Sequence, residues 1–304
     1  MPKDNEPELV PEIKKGHYSD GHPTDDVHYL ECKIILKGER FASKQGFIDF
    51  AKVVRRAAEK ADIDLSTSHL EGQRPEIREV VFLDTSDFRL YNNAFILRRR
   101  ITYEDGFPVG DPEIVFKFRH PDSQKAADLD VRPHIPGVYK IKFKAEALPL
   151  KDKMGGMRIL YSHNAEFGLS QIKQTDRTAM ATYVQLFPCL APLKKHGNDK
   201  LELVNQTIVE EVLFDLGKLD FGKGVIAKND LGLWRTRGEH QSLVGEYAFQ
   251  AKFDRRDDLH PKVQRRVEEF FTTLQNLGHD WVSLGATKTG IVYRLKGNPP
   301  QAHE

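Results

Sequence analysis

Cysteine is nearly absent from this chain: there are two in 304 residues, Cys32 and Cys189. Two cysteines make neither a disulfide framework nor a zinc pattern, which fits a reducing compartment. A net charge of either sign is also missing. Lys+Arg number 46 and Asp+Glu 45, although charged residues make up 30% of the sequence. Whole-surface attraction to nucleic acid or to a membrane is therefore not expected, and any anion site must come from local segregation of charge. Long apolar runs are lacking, and none approaches the roughly 20 residues needed to span a bilayer. The first residues, MPKDNEPELVPEIKKGHYSDGHPTDD, hold no apolar segment of the kind a signal peptide needs. The expectation is a soluble, globular, cytoplasmic protein, with a flexible arm over 1–27 and a polar tail over 298–304.

Familiar site signatures are wanting too. The GKG at 222–224 has no strand-to-helix glycine loop around it, and the twelve histidines show no HExxH or other ligand spacing. Neither cysteine has a visible base partner. Trp234 and Trp281 read as core or interface residues. Arg255 and Arg256 beside Asp257 and Asp258 read as a mixed-sign turn, against a nucleic-acid stripe.

What is present is alternation. HYLECKIILKG (28–38) places Leu30, Cys32 and Ile34 on one face and Tyr29, Glu31 and Lys33 on the other, as a strand does. Further strands are expected over 78–85, 94–104, 112–120, 138–148, 205–217, 223–237 and 242–254, and another in ATKTGIVYRLKG (286–297). Two amphipathic helices are expected. One follows an N-cap at Ser43, with Phe47, Phe50, Ala51, Val54, Ala57, Ala58 and Ala61 on its stripe. The other spans 261–278, with Val263, Val267, Phe270, Phe271, Leu274 and Leu277. Between 151 and 200 the pattern is weak; LSQIKQTDRTAMATYVQLFPCL reads as a helix ending before Pro188.

The strand faces opposite the apolar ones are unusually ionic. Arg98 and Arg100 are two apart, as are Lys117 and Arg119, and Lys140, Lys142, Lys144 and Glu146 continue the pattern. Residues i and i+2 of a strand point the same way, about 6.6–6.8 Å apart. Two arrangements satisfy this: an open sheet with a solvated ionic face, or a sheet closed into a barrel with the ionic face inside. In the second case the buried charges need partners or a bound anion, and guanidinium groups suit bidentate phosphate contacts.

LDTSDFRLYNNAFILRRR (83–100) resembles the DTxDxxLxxxxxxLRxR region of the CYTH, or triphosphate tunnel metalloenzyme, family. It matches from Asp84, Thr85 and Asp87 through Leu90 and Leu97 to Arg98 and Arg100. VFKFR, VGEYAFQAKF, a helix and TKTGIVYRL follow in the family's order, and the resemblance extends over about 28–297. It implies an α+β fold: a closed or nearly closed antiparallel eight-stranded β-barrel with helices packed outside. YLECK stands at the family's ExExK motif, with Glu31 and Lys33 matching and Tyr29 in place of the first glutamate. Glu246 matches the first acid of a later Glu-x-Glu strand, and Ala248 replaces the second. Lys288 stands at the C-terminal lysine. In VYKIKFKAEAL lysines stand where the family places glutamates, and only Glu146 is acidic.

The resemblance further implies metal-dependent hydrolysis of a triphosphate-containing substrate such as inorganic triphosphate, a nucleoside triphosphate or thiamine triphosphate. Arg98, Arg100, Lys117, Arg119 and Lys142 would bind phosphate. Lys33 and Lys288 would act at the scissile linkage, and Glu31 and Glu246 would hold Mg²⁺ or Mn²⁺. Two other outcomes remain open: a tunnel that binds a phosphorylated anion without turnover, and a cyclase-type reaction. Asp84, Thr85 and Asp87 read as turn formers.

Overall fold

The computed structural model describes residue 23 and residues 26–66, 70–253 and 259–296. Most of the expected arm, the tail and the mixed-sign turn at 255–258 lie outside the described residues. The described strands are β1 (Tyr29–Leu36), β2 (Asp64–Ser66), β3 (Glu76–Asp84), β4 (Phe95–Glu104), β5 (Phe107–His120) and β6 (Lys140–Leu148), followed by β7 (Arg158–Gly168), β8 (Glu202–Leu203), β9 (Val209–Asp220), β10 (Ile226–Thr236) and β11 (Ser242–Lys252). The helices are α1 (Lys44–Lys60), α2 (Arg89–Asn92), α3 (Ser123–Asp128), α4 (Met180–Leu186), α5 (Pro261–Leu277) and α6 (Lys288–Tyr293).

The sheet runs β9-β10-β11-β1-β6-β7-β5-β4-β3, and β3 pairs back onto β9, which closes a barrel; β2 and β8 are short additions at β9 and β3. Nine strands therefore form the wall, where eight were expected. The extra member is β7, which falls in the weakly patterned stretch after 150. Nor is the wall wholly antiparallel, because β1 and β6 run parallel, with Tyr29 opposite Lys144 and Glu31 opposite Glu146.

The apolar faces of the strands point outward and are covered by helices. Phe50 of α1 and Phe270 of α5 are fully buried against Tyr247 and Phe249 of β11, with ring centroids 6.0 and 5.4 Å apart. Each such ring contributes on the order of 1.5–3 kcal/mol by leaving water. A second layer, with Phe116, Phe167 and Phe187 around α4, covers β4, β5 and β7. Since the apolar side of each strand is used outside, the pleat turns the ionic side into the lumen.

Local chemistry explains the departures from the sequence reading. Ser43 sits at the N-cap of α1 but its side chain makes no capping bond. The helix expected from 169 to the residue before Pro188 forms only over 180–186. Before it, Asp176 accepts hydrogen bonds from Thr178 N (2.9 Å) and Ala179 N (3.1 Å), which hold a turn instead. The segment 286–297, expected as a strand, holds the helix α6. Thr287 caps it by accepting from Gly290 N at 3.0 Å, and Val292 and Tyr293 are fully buried. Packing and a cap override the β-preference of Ile291, Val292 and Tyr293.

Candidate anion-binding tunnel

The lumen encloses a cavity of about 240 Å³ lined by nine basic and five acidic side chains. All nine residues singled out by the resemblance line it: Glu31 and Lys33 from β1, Arg98 and Arg100 from β4, Lys117 and Arg119 from β5, Lys142 from β6, Glu246 from β11 and Lys288 from α6. Arg99, one residue out of phase, lies outside and pairs with Glu79 at 3.5 Å. The lining also includes Lys144, expected on the ionic face, Trp234, expected as a core or interface residue, and Arg78, Glu166, Glu211 and Asp230, which the sequence did not single out.

One wall is built around buried carboxylates. Glu146, fully buried, lies 2.8 Å from Lys117 Nζ, 3.3 Å from Lys33 Nζ and 3.1 Å from an Arg119 nitrogen, and it accepts the Ser162 hydroxyl at 2.7 Å. Burial alone would raise its pKa, but Arg119, Lys117 and Lys33 hold it well below the usual carboxylate range. Glu31 Oε2 takes Lys33 at 2.9 Å and Lys144 at 3.3 Å. Burial opposes its ionisation too, and Lys144 and Lys33 overcome it. Three cations sharing Glu146 leave Lys117 poorly compensated. Burial pushes its pKa down to about 7, and Arg119 and Lys33 add to the effect against the attraction of Glu146.

Across the lumen Arg78 and Glu211, opposite each other on β3 and β9, pair at 3.4 Å. Glu211 also accepts Trp234 Nε1 at 2.7 Å and lies 3.1 Å from Lys288 Nζ. Despite burial its carboxyl is held far below the usual range by Lys288 and Arg78. Arg100 pairs with Glu113, and Lys142 with Glu166 at 2.6 Å. Arg98 differs. Among the described residues it makes no ion pair and no hydrogen bond through its side chain, and its Nε is buried without a partner. Burial and the neighbouring Arg100 lower its pKa. Burial, with Asp215 nearby, pushes Asp230 up to about 6.

The end of the lumen carrying Lys288 is packed by α6. Val292 and Tyr293 cluster with Ile35, Phe82, Ile96 and Trp234, four residues that also line the cavity. The DTSD turn fixes that packing. Asp84 accepts from Thr85 N, Leu90 N and Tyr91 N at 2.7, 2.9 and 2.9 Å, and from Tyr293 Oη at 3.1 Å. The Tyr91 and Tyr293 rings stack at 4.1 Å. Asp84 and Thr85 thus build the turn, and Asp84 also ties it to the helix that brings Lys288 inward.

The metal expected on Glu31 and Glu246 does not fit the donor set. Glu31 already holds two ammonium groups, and Glu246 Oε1 lies 2.7 Å from Lys288 Nζ. Among the described residues no group of three or more His, Cys, Asp or Glu side chains is placed to hold an ion. Unit charges 4 Å apart interact by about 4 kcal/mol at an effective dielectric of 20, so a divalent ion beside each ammonium would meet roughly twice that repulsion.

No family model matches the sequence, and no curated protein does. Among solved structures the chain is similar to a candidate adenylyl cyclase from Hippeastrum, described as revealing a dominant triphosphatase activity. The identity is 12% and the TM-score 0.42, over 90% of this chain and 98% of that one. It is also similar to a protein from Pyrococcus horikoshii OT3, at 14% identity and TM-score 0.34 over 84% and 96% of the two chains. A candidate adenylate cyclase from Bacillus halodurans is similar at 10% identity and TM-score 0.36, over 86% and 95%.

Proposed function

We propose that the tunnel is a receptor for a triphosphate-containing anion: inorganic triphosphate, a nucleoside triphosphate or thiamine triphosphate. The observation that carries this reading is Arg98, a guanidinium in the lumen beside Arg100 that contacts no carboxylate and whose Nε has no hydrogen-bond partner, although Glu211, Glu113 and Glu166 attract it from a distance. A lumenal guanidinium without a contacting carboxylate is incompletely compensated, and a bound phosphate would supply close charge and hydrogen bonds. In this reading Arg98, Arg100, Lys117, Arg119 and Lys142 contact the phosphates, and Lys33 and Lys288 add charge along the chain of phosphoryl groups. Thermal unfolding with and without triphosphate tests it. Wild type should be stabilised by the anion, and Arg98→Ala should lose that stabilisation while its ligand-free stability is unchanged or raised. Normal anion stabilisation of Arg98→Ala would overturn the reading.

Turnover is a further question about the same site. Both carboxylates that would carry a metal are held by lysines, which favours binding without turnover. A phosphate-release assay with triphosphate, ATP and thiamine triphosphate, each with Mg²⁺, Mn²⁺ or EDTA, separates the two. Phosphate release that requires a metal would make the protein a hydrolase.

A further inference from the structure

We propose that Lys144 and Lys288 stand as built-in counter-cations where a divalent ion would otherwise sit, so that the tunnel takes its polyphosphate as the metal-free anion. This inference rests on the receptor reading above and adds the form in which the ligand enters.

Three placements support it. Lys144 is only 7% exposed and its ammonium contacts Gln250 Oε1 at 2.6 Å, Glu31 Oε2 at 3.3 Å and the ring of Tyr29 at 5.7 Å. A lysine stem this deeply buried gives up its rotamer freedom, so its head is fixed as a charge at one point rather than sampling solvent. Tyr29 is the residue that stands where the resembled pattern has a glutamate. An aromatic face there accepts an ammonium by cation–π attraction but offers a hard divalent ion no oxygen ligand along its ring face. Lys288 repeats the arrangement on the other side. It bridges Glu211 at 3.1 Å and Glu246 at 2.7 Å and lies 4.5 Å from the centroid of Trp234. Each ammonium therefore sits on carboxylate oxygen and an aromatic face together. Two lumenal carboxylates that would attract a metal are neutralised before any ligand arrives.

The charge balance of the lining points the same way. Nine basic and five acidic side chains line the cavity, and Glu146, Glu113 and Glu76 pair with lining cations from outside that set, so a small positive excess remains, with Arg98 its uncontacted member. A free polyphosphate meets that excess with its full negative charge. A Mg²⁺ complex of the same ligand brings less negative charge, and its metal faces ammonium groups already in place.

The test is calorimetric titration of the full chain with inorganic triphosphate, in EDTA and in saturating MgCl₂. Binding in EDTA that is tighter than in MgCl₂ is the expected result. Binding that appears only with Mg²⁺, or is tighter with it, would overturn this inference and leave the receptor reading intact. No binding in either arm would overturn both. Lys144→Gln and Lys288→Gln should each weaken metal-free binding by about tenfold, and Arg in the same position should restore part of it. Unchanged metal-free affinity in both Gln variants would overturn the counter-cation role. Where a Gln variant folds poorly, electron paramagnetic resonance of Mn²⁺ added to wild-type protein gives an independent reading. Mn²⁺ should stay free in solution, and tight uptake by the ligand-free protein would overturn the inference.

Discussion

On the β1–β6–β5 side of the lumen, Glu146 serves Lys33, Lys117 and Arg119, while Glu31 serves Lys33 and Lys144. On the β3–β4 side, Arg78 has two carboxylates, Glu76 and Glu211, Arg100 has one, Glu113, and Arg98 contacts none. The first wall is a closed network whose charges largely answer one another. The second leaves a guanidinium unanswered. Basic residues in the tunnel thus differ in how far carboxylates already answer them, and only the arrangement of acids distinguishes them.

The sharpest way to break the contrast is Glu146→Gln. Removing a buried carboxylate leaves Lys33, Lys117 and Arg119 facing one another, and a loss of about 3–5 kcal/mol is expected in urea unfolding. A loss below about 1 kcal/mol would mean that the closed wall does not depend on this carboxylate.

Arg98→Ala should do the reverse on the open wall. Roughly tenfold to a hundredfold of triphosphate affinity should go, because a charge-assisted contact is removed, with no loss of ligand-free stability. Isothermal titration measures the first and thermal unfolding the second.

Lys117 makes the contrast pH-dependent. Its folded pKa of about 7 lies below its ordinary 10.5, so between these values the unfolded chain binds a proton that the folded one does not. Stability contributed through this group therefore rises with pH across that window, being lowest below about 7. Anion affinity moves the other way, falling as pH climbs through about 7, by at most about tenfold per unit. Calorimetry in buffers of different ionisation enthalpy should show proton uptake on binding, and no uptake near pH 7 to 8 would remove Lys117 from the site. Glu31 and Glu211, whose folded pKa values are depressed, contribute stability that is fully present above the ordinary carboxylate range and is lost only as pH falls toward their lowered values.

The smallest effect belongs outside the barrel. Arg99→Ala removes a long, partly exposed contact to Glu79, which keeps its pair with Arg237, and should change stability by less than about 1 kcal/mol, with triphosphate affinity unchanged. A loss of affinity comparable to that of Arg98→Ala would show that strand parity does not separate the two arginines.

Strand parity is also why much of the site was legible. The period of two puts Arg98 with Arg100, and Lys117 with Arg119, on one face without any knowledge of the fold. The same logic failed at IVEEVLF, where Glu210 and Glu211 are adjacent and nothing local says which turns inward. Pairing with Arg78 and the Trp234 ring nitrogen decides for Glu211, and those partners are remote in sequence. β7 was missed because RILYSHNAEFG mixes His163, Asn164 and Glu166 into an otherwise apolar run. Which of its polar residues face the lumen follows from its pairing with β5 and β6. The lysine partners of Glu31 and Glu246 were hidden for the same reason, since Lys144 and Lys288 reach them from other strands or helices.

The parallel β1–β6 pair carries a consequence for how the chain folds. β1 is flanked by β6 on one edge and by β11 on the other, where Tyr29 lies opposite Lys252. Among the described strands, the first to be synthesised therefore waits for the last before its second edge is covered. Contacts this distant in sequence slow folding, because the ordering of a long loop precedes the contacts that reward it. A nascent chain stopped before β11 would display an unpaired edge together with the basic side of an unfinished wall. That makes it a species suited to capture by chaperones, and one in which no tunnel yet exists.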